Sequence, residues 1–132
     1  MPAKILIVED DTDSREILRI QIEYLGYKVI EALRGEEALE KALVEDPDLI
    51  IMDIMLPGMN GIEATIALKQ NPKTSRIPVI GHSAWKQNKD KAMAAGMVEF
   101  LLKPTPPRVF GEVLKRILGS SAERKYREAG GN

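Results

Sequence analysis

Five short apolar runs alternate with five segments of helical period, and this alternation restricts the fold more than any other feature of the sequence. The apolar runs lie at 5–8, 28–32, 49–53, 79–83 and 99–102. The helical segments lie at 13–25, 35–45, 60–70, 86–95 and 105–118. Strict alternation of this kind is typical of a parallel sheet with helices on both faces, joined by right-handed crossovers. We therefore expect one α/β domain.

Composition excludes several classes of protein. A chain of 132 residues is long enough to bury one hydrophobic core without disulfides or a structural metal. Cysteine is absent, so the chain has no disulfide and no thiolate metal site, which fits the cytosol. The net charge of −1 gives no sign of a nucleic-acid partner. No apolar run approaches the roughly 18 residues that a transmembrane helix needs.

Capping residues predict where two of the helices begin. Asp13, followed three residues later by Glu16, resembles a capping box at the start of the first helix, and Gly26 follows its last turn. Thr105 is the predicted N-cap of the fifth helix, with Pro106 at the first helical position. The predicted buried faces are Ile17, Leu18, Ile20, Ile22 and Leu25 in the first helix, and Ala38, Leu39, Ala42 and Leu43 in the second.

The third apolar run ends on a single carboxylate. Residues 49–52 are continuously apolar, as expected for a strand buried on both faces, and Asp53 follows them. An ionised carboxylate is costly to bury unless something pairs with it. A lone Asp in this place most simply caps the next turn, so its function depends on what else reaches that strand end.

Charged or hydroxyl side chains stand at the ends of three other runs as well. An open parallel sheet binds its ligands at the carboxyl ends of its strands, so we expect these side chains to converge on one edge. The set consists of Glu9, Asp10 and Asp11 after the first run, Asp53 at the end of the third, Ser83 at the end of the fourth and Lys103 after the fifth.

This set suits phosphoryl transfer to a carboxylate. Carboxylates held a few ångströms apart repel each other, which raises a pKa or requires a cation. An oxygen-only cluster without His or Cys suits Mg²⁺, and Asp is an established phosphoryl acceptor. Mg²⁺ and Lys103 would neutralise the phosphoryl oxygens, and Ser83 could donate a hydrogen bond to one of them. Asp53 is therefore the candidate acceptor.

The chain resembles the receiver domain of bacterial two-component response regulators across residues 3–118. The resemblance rests on I-L-I-V-E-D-D at 5–11, D-L-I-I-M-D-I-M-L-P-G-M-N-G at 48–61, P-V-I-G-H-S-A at 78–84 and F-L-L-K-P at 100–104. Four such motifs in this order and at these spacings are very specific. The resemblance implies a flavodoxin-like, doubly wound (βα)5 fold, with a five-stranded parallel sheet in the order 2-1-3-4-5.

The resemblance also implies a magnesium site. Asp53 is then both the phosphoacceptor and a metal ligand, and Asp10 binds Mg²⁺ directly. Glu9 acts through a metal-bound water, the backbone carbonyl of Met55 is the third protein ligand, and Mn²⁺ can substitute for Mg²⁺. Asp11 is expected to be a solvated neighbour of this site and not a ligand.

The resemblance assigns a switch to the other motif residues. Ser83 stands where the family has a Thr or Ser hydroxyl that moves toward the phosphoryl group. Lys103 is the lysine of the family motif, and its peptide bond to Pro104 is expected to be cis. Phe100 replaces the rotameric Tyr of many members, so it can turn inward with Ser83 but has no hydroxyl to present to a partner.

Four residues are expected to flank the site: Met55, Ala84, Trp85 and Pro104. Met55 and Trp85 lie two residues past Asp53 and Ser83, beside the path of an attacking water. Neither side chain can orient that water, so we expect an aspartyl phosphate that lasts many minutes or longer. The alternative is that Trp85 only covers the fourth helix. His82 is expected to pack or to bond locally.

The implied function is that of a phosphorylation-activated signalling switch. Residues 1–119 form the expected receiver domain and 120–132 a polar tail, which is too short for an output domain unless the chain was trimmed from a longer protein. The expected donor is a sensor histidine kinase or a histidine phosphotransfer protein. An unknown target protein would bind the face made by the fourth helix, the fifth strand and the fifth helix.

Further expectations complete this hypothesis. The protein is expected to be cytoplasmic, a monomer or weak homodimer, without a nucleic-acid or membrane partner. It is not expected to be an enzyme, although it would catalyse its own phosphoryl transfer and its own slow dephosphorylation.

Two other classes of function remain open at this point. A receiver-like scaffold would bind a partner without being phosphorylated, and the intact Asp10, Asp53, Ser83 and Lys103 argue against it. A phosphatase with an Asp nucleophile normally carries a second acid two residues later, where this chain has Met55. A flavin carrier would need a phosphate loop rich in Ser, Thr and Gly after the first strand, where this chain has three acids.

Overall fold

The computed structural model describes residues 2–119, in which five parallel strands form one sheet in the order β2-β1-β3-β4-β5. The strands are β1 Lys4–Val8, β2 Lys28–Ala32, β3 Leu49–Asp53, β4 Val79–Ser83 and β5 Glu99–Leu102. The helices are α1 Thr12–Tyr24, α2 Gly35–Glu45, α3 Gly61–Gln70, α4 Lys89–Ala94 and α5 Pro107–Leu118, with a 3₁₀ turn at Lys86–Asn88 before α4. The predicted α/β fold and strand order are confirmed. The predicted tail at 120–132 lies outside the described residues.

Strand β3 lies at the centre of the sheet and is buried along its whole length. Its side chains alternate between two hydrophobic clusters: Ile50 and Met52 belong to one, and Leu49 and Ile51 to the other. A strand covered on both faces needs apolar residues at every position, which explains the continuous run in the sequence. Among the described helices, none is both long and apolar enough to cross a lipid bilayer.

The register of the sheet brings the functional strand ends together. Met52 of β3 is level with Val8 of β1, and Asp53 is level with His82 of β4. Because parallel strands end at the same edge, Asp53 and the residues that follow β1 share one edge. The backbone register alone therefore brings the acids to the same edge of the sheet.

Two predicted helix caps are wrong. Helix α1 begins at Thr12, and Asp11 caps it by accepting a hydrogen bond from the Ser14 N–H at 2.8 Å, so Asp13 lies inside the first turn. Thr105 donates its hydroxyl to the Leu102 carbonyl at 2.6 Å and does not cap α5. In both cases a side chain bonds to a nearby backbone group, Asp11 to the Ser14 N–H and Thr105 to the Leu102 carbonyl, and sequence spacing cannot reveal this choice.

Some predicted core positions are exposed. Ile17 and Ile20 of α1 are 58% and 54% exposed, and Leu43 of α2 is 47% exposed. Only Leu18 and Ile22 of α1 are buried, because residues four apart lie on one narrow stripe that faces the sheet. The apolar pattern therefore overstated the width of the buried face of α1.

Gly61 makes the closest backbone approach near the site. A Cβ at Gly61 would clash with the Asp53 carbonyl oxygen, whereas a Cβ at Gly111 of α5 would lie 3.4 Å from Leu25 Cδ2. We predict that Gly61→Ala lowers the free energy of unfolding by at least about 2 kcal/mol, because backbone must shift. The control Gly111→Ala should leave it unchanged or raise it by up to about 1 kcal/mol. Urea unfolding measures both, and a Gly61→Ala chain as stable as the Gly111→Ala chain would contradict the close approach.

Candidate functional site

Three carboxylates meet at the carboxyl edge of the sheet. One oxygen from each of Glu9, Asp10 and Asp53 lies within 4.8 Å of the other two. Glu9 and Asp53 are buried, whereas Asp10 is exposed. Anionic groups this close destabilise one another unless a cation or a proton neutralises part of the charge. An all-oxygen donor set with one solvent-facing carboxylate is the kind that Mg²⁺ occupies, since Mg²⁺ keeps several of its waters.

Lys103 is the ammonium of this cluster. Its Nζ lies 2.6 Å from Glu9 Oε1 and 3.5 Å from Asp53 Oδ2. The Lys103–Pro104 peptide bond is cis, and the Lys103 N–H donates to the Ser83 carbonyl at 2.8 Å. Burial alone would lower the pKa of Lys103, but the hydrogen bond to Glu9 and the charge of Asp53 outweigh it and raise that pKa. Lys103 therefore stays charged, and its shorter contact is with Glu9.

The surroundings of Asp53 disfavour its ionised form. Burial, followed by the charge of Glu9, raises its pKa from 3.8 to about 6, against the opposing effects of Lys103 and of the Met55 N–H. That N–H donates to Asp53 Oδ1 at 3.2 Å. Glu9 and Asp53 thus form a pair whose combined charge one ammonium does not fully neutralise. A divalent cation fits this imbalance.

Arg15 fixes the backbone that carries two of the acids, although the sequence analysis did not single it out. Its guanidinium donates to the carbonyls of Glu9 at 3.1 Å and Asp10 at 3.4 Å. It also forms an ion pair with Glu31 at 2.9 Å. Nothing in the spacing of Arg15 separates it from a solvated charge on α1, so only the folded chain reveals this contact.

The predicted switch residues are buried. Ser83 is fully buried, and its Oγ accepts hydrogen bonds from the Trp85 N–H at 3.1 Å and from Asn88 Nδ2 at 3.2 Å. Phe100 is also buried and points inward, since a Cβ at Gly81 would lie 3.1 Å from Phe100 Cδ1. The roles predicted for Ser83 and Phe100 stay predictions, but both side chains occupy inward positions from which they could act together.

Three of the four residues predicted to flank the site line cavities that also contain site residues. Met55 and Trp85 are 59% and 54% exposed, and Met55 lines a cavity of about 700 Å³ together with Asp10, Asn88 and Lys91. The exposed Ala84 and Pro104 line a separate cavity of about 430 Å³, which also reaches Glu9 and Lys103. The flanking roles predicted for these four residues stay predictions. The predicted ligand role of the Met55 carbonyl stays a prediction.

Two neighbours of the motif have structural roles. Asp11 caps α1 and lies outside the three-carboxylate cluster, and hydrogen bonds from Ser14 lower its pKa. His82 packs edge to face on Phe110, with ring centroids 5.3 Å apart. Burial, reinforced by the charge of Lys103, lowers the pKa of His82 to about 4, so the ring is neutral at physiological pH. Asp11 is therefore a helix cap outside the cluster, and His82 adds no charge to it.

The raised pKa of Asp53 predicts an unusual pH dependence for metal-free protein. The folded chain binds a proton more readily than the unfolded chain, so this group stabilises the fold at low pH and that contribution is lost as pH rises through about 6. Asn carries no charge at any pH. In EDTA at pH 7.5, Asp53→Asn should therefore raise the free energy of unfolding by about 1–2 kcal/mol, and the gain should fall toward zero near pH 4.

Urea unfolding of both chains at pH 7.5, 6 and 4.5 measures this difference. The exposed cap variant Asp11→Asn is the matched control and should gain nothing at pH 7.5. An Asp53→Asn chain no more stable than wild type at pH 7.5, or a gain that grows as pH falls, would contradict the electrostatic account of the cluster.

Comparison with known proteins gives one consistent result. Residues 5–115 match the family described as the response regulator receiver domain. The chain is 37% identical over 123 residues to the polar-differentiation response regulator DivK of Brucella anthropi, covering 92% of this chain and 100% of that protein. It is 38% identical over 123 residues to the alkaline phosphatase synthesis transcriptional regulatory protein PhoP of Bacillus subtilis, but that match spans only 50% of PhoP.

A solved structure of a receiver domain is also similar to this chain. The receiver domain of sensor histidine kinase PA1611 from Pseudomonas aeruginosa superimposes with a TM-score of 0.84 at 29% identity. The match covers 91% of this chain and 100% of that domain, which has a magnesium ion coordinated in its active-site cleft. The chain is therefore similar to a response regulator, a transcriptional regulatory protein and the receiver domain of a histidine kinase.

Proposed function

Because the chain belongs to the response regulator receiver domain family, we propose that it is a signalling switch that accepts a phosphoryl group on Asp53. The observation that carries this proposal is the three-carboxylate cluster of Glu9, Asp10 and Asp53 beside the Lys103 ammonium. An isolated Asp that merely capped a turn would not need two further acids and a partly buried lysine around it.

The transfer step needs only positioning and charge neutralisation from this chain. An Asp53 carboxylate oxygen attacks phosphorus, the phosphorus–nitrogen bond of a donor phosphohistidine breaks, and the donor imidazole leaves with that electron pair. The new bond is a carboxyl–phosphate anhydride. Mg²⁺ bound at the cluster would neutralise phosphoryl oxygens, with Asp10 and Asp53 as direct ligands, Glu9 acting through a water and the Met55 carbonyl as a further ligand. Mn²⁺ can take the same place.

Lys103 and Ser83 respond to the new group. In the unphosphorylated chain the Lys103 ammonium contacts Glu9 and lies 3.5 Å from Asp53. From this position it can bind an oxygen of a phosphoryl group on Asp53. Ser83 donates its O–H to another oxygen, and Phe100 is the second switch residue in this proposal. A phosphoryl group carries about −1.5 to −2 charges, so both residues gain a partner that exists only in the phosphorylated state.

Two surfaces suit two partners. The helix that follows the acids, α1, presents an exposed apolar stripe of Ile17, Ile20 and Tyr24, on which we place the histidine kinase or histidine phosphotransfer protein that donates the phosphoryl group. The target protein binds the α4-β5-α5 face, where Leu102 is 44% exposed. Phosphorylation shifts an existing equilibrium of this face, with a coupling of about 1–3 kcal/mol. The proposal includes a cytoplasmic, monomeric or weakly dimeric protein without nucleic-acid or membrane partners.

The protein is not an enzyme acting on external substrates in this proposal, although it catalyses its own phosphorylation and slow dephosphorylation. In this proposal Met55 and Trp85 flank the path of an attacking water, and each residue is more than half exposed. Neither has a group that accepts a proton from water, so neither can activate a water molecule against the phosphoryl group. The aspartyl phosphate should therefore persist.

Phosphorylation by a small donor tests the proposal. Incubation with acetyl phosphate and Mg²⁺ should add one phosphate, which mass spectrometry places on Asp53 because that carboxylate lies inside the acid cluster. Asp53→Asn should lose the label. The matched control Asp11→Asn should keep it, since Asn also caps α1. No label on wild type, or a label that survives Asp53→Asn, would reject phosphorylation of Asp53 and favour a scaffold that binds without it.

The lifetime of the phosphoryl group is a separate prediction. Without a phosphatase, radiolabelled phosphoprotein should decay with a half-life of many minutes or longer, because neither flanking side chain positions water. Met55→Glu should shorten that half-life by supplying a carboxylate beside the site. A wild-type half-life of seconds would contradict the argument from the two flanking residues while leaving phosphorylation itself intact.

A further inference from the structure

Ser83 is held by a residue outside its own strand. Its buried Oγ accepts hydrogen bonds from the Trp85 N–H at 3.1 Å and from Asn88 Nδ2 at 3.2 Å. A hydroxyl has two acceptor lone pairs and one donor hydrogen, so both acceptor positions are filled. The remaining O–H faces only the Trp85 carbonyl, at a poor 3.5 Å. The hydroxyl is thus fixed as an acceptor while its proton stays available for a better partner.

Asn88 bonds to Ser83 in place of an ordinary cap. It immediately precedes α4, where an Asn side chain usually accepts a hydrogen bond from a backbone N–H of the helix. Here its side chain makes no capping bond, and its amide nitrogen donates to Ser83 instead. Asn88 also lines the cavity that contains Asp10 and Met55. It therefore connects the start of α4 to the site itself.

We propose that Asn88 is a positioning residue that restrains Ser83 in the unphosphorylated state and releases it on phosphorylation. This inference rests on the proposed function. Asp53 lies on the neighbouring strand, level with the residue before Ser83. In this proposal the Ser83 side chain moves toward a phosphoryl oxygen on Asp53 to donate its O–H, and the movement takes its oxygen away from the Asn88 amide. The lost hydrogen bond opposes activation. Asn88 thereby sets the resting balance of the switch and transmits the movement of Ser83 to α4.

Beryllofluoride, a noncovalent mimic of a phosphoryl group on a carboxylate, tests this restraint without a phosphodonor. Trp85 is the only tryptophan of the chain, and its backbone N–H donates a hydrogen bond to Ser83. Its fluorescence should therefore report the binding of beryllofluoride. At saturating Mg²⁺, Asn88→Ala should bind beryllofluoride about three- to tenfold more tightly than wild type, as expected from removing one neutral hydrogen bond that opposes the change.

Two further variants separate restraint of Ser83 from a general effect on the loop. Asn88→Ser can cap α4 but carries its hydroxyl too close to its own backbone to replace the amide, so it should match Asn88→Ala while preserving thermal stability. In a Ser83→Ala chain, which has no hydroxyl to restrain, Asn88→Ala should leave the beryllofluoride affinity within about twofold, because the two residues act as a unit.

The outcomes distinguish this inference from the proposed function. If wild type binds beryllofluoride but Asn88→Ala and Asn88→Ser bind it equally or more weakly, Asn88 does not restrain the switch. An equal gain with and without the Ser83 hydroxyl would mean that Asn88 acts by another route, which also overturns the inference. If wild type and all variants fail to bind with Mg²⁺ present, the phosphorylation function itself is wrong.

Discussion

The repulsion between two buried carboxylates, Glu9 and Asp53, is the interaction on which the rest of the site depends. A single ammonium, Lys103, lies 2.6 Å from one and 3.5 Å from the other and compensates them only in part. Burial, reinforced by the remaining charge of Glu9, raises the pKa of Asp53 to about 6. A site kept short of positive charge in this way favours a divalent cation, and a bound cation then lets a second anion approach Asp53.

The fold holds these charges together against their repulsion. Strand β3 ends at the centre of the sheet, where hydrophobic clusters on both faces fix its position. Gly61 allows the following loop to pack against the Asp53 carbonyl, and Arg15 holds the carbonyls of Glu9 and Asp10. Burial of apolar side chains therefore stabilises a local arrangement that is unfavourable by itself, which is common at functional sites.

Much of the fold could be predicted from the sequence, because the signals were local and repeated. The bounds of α2, β4 and β5 agree with the predicted segments, since each is closed by turn residues or by a change of hydrophobic period. The caps of α1 and α5 could not be predicted, because the backbone groups to which Asp11 and Thr105 bond depend on local loop geometry. Where a helix meets the sheet only along one stripe, as at Ile17, periodicity also overestimates burial.

In the site, too, some features could be predicted from the sequence and others could not. The meeting of Glu9, Asp10 and Asp53 could be predicted, because parallel strands end at one edge whatever their side chains do. The short contact of Lys103 with Glu9, and the hydrogen bond from Asn88 to Ser83, depend on rotamers and loop geometry that no spacing encodes. The contacts that could not be predicted therefore belong to the geometry of the folded chain, whereas the residues that could be predicted are those of the sequence motifs.

Calorimetric titration of the purified chain with Mg²⁺ at pH 7.5 tests the central claim most directly. The electrostatic account predicts saturable binding of one ion per chain. It also predicts a loss of affinity of about tenfold or more in Asp10→Asn, which removes a charged ligand, and none in Asp11→Asn, whose side chain lies outside the cluster. The absence of saturable binding to wild type, or equal binding to Asp10→Asn, would contradict it.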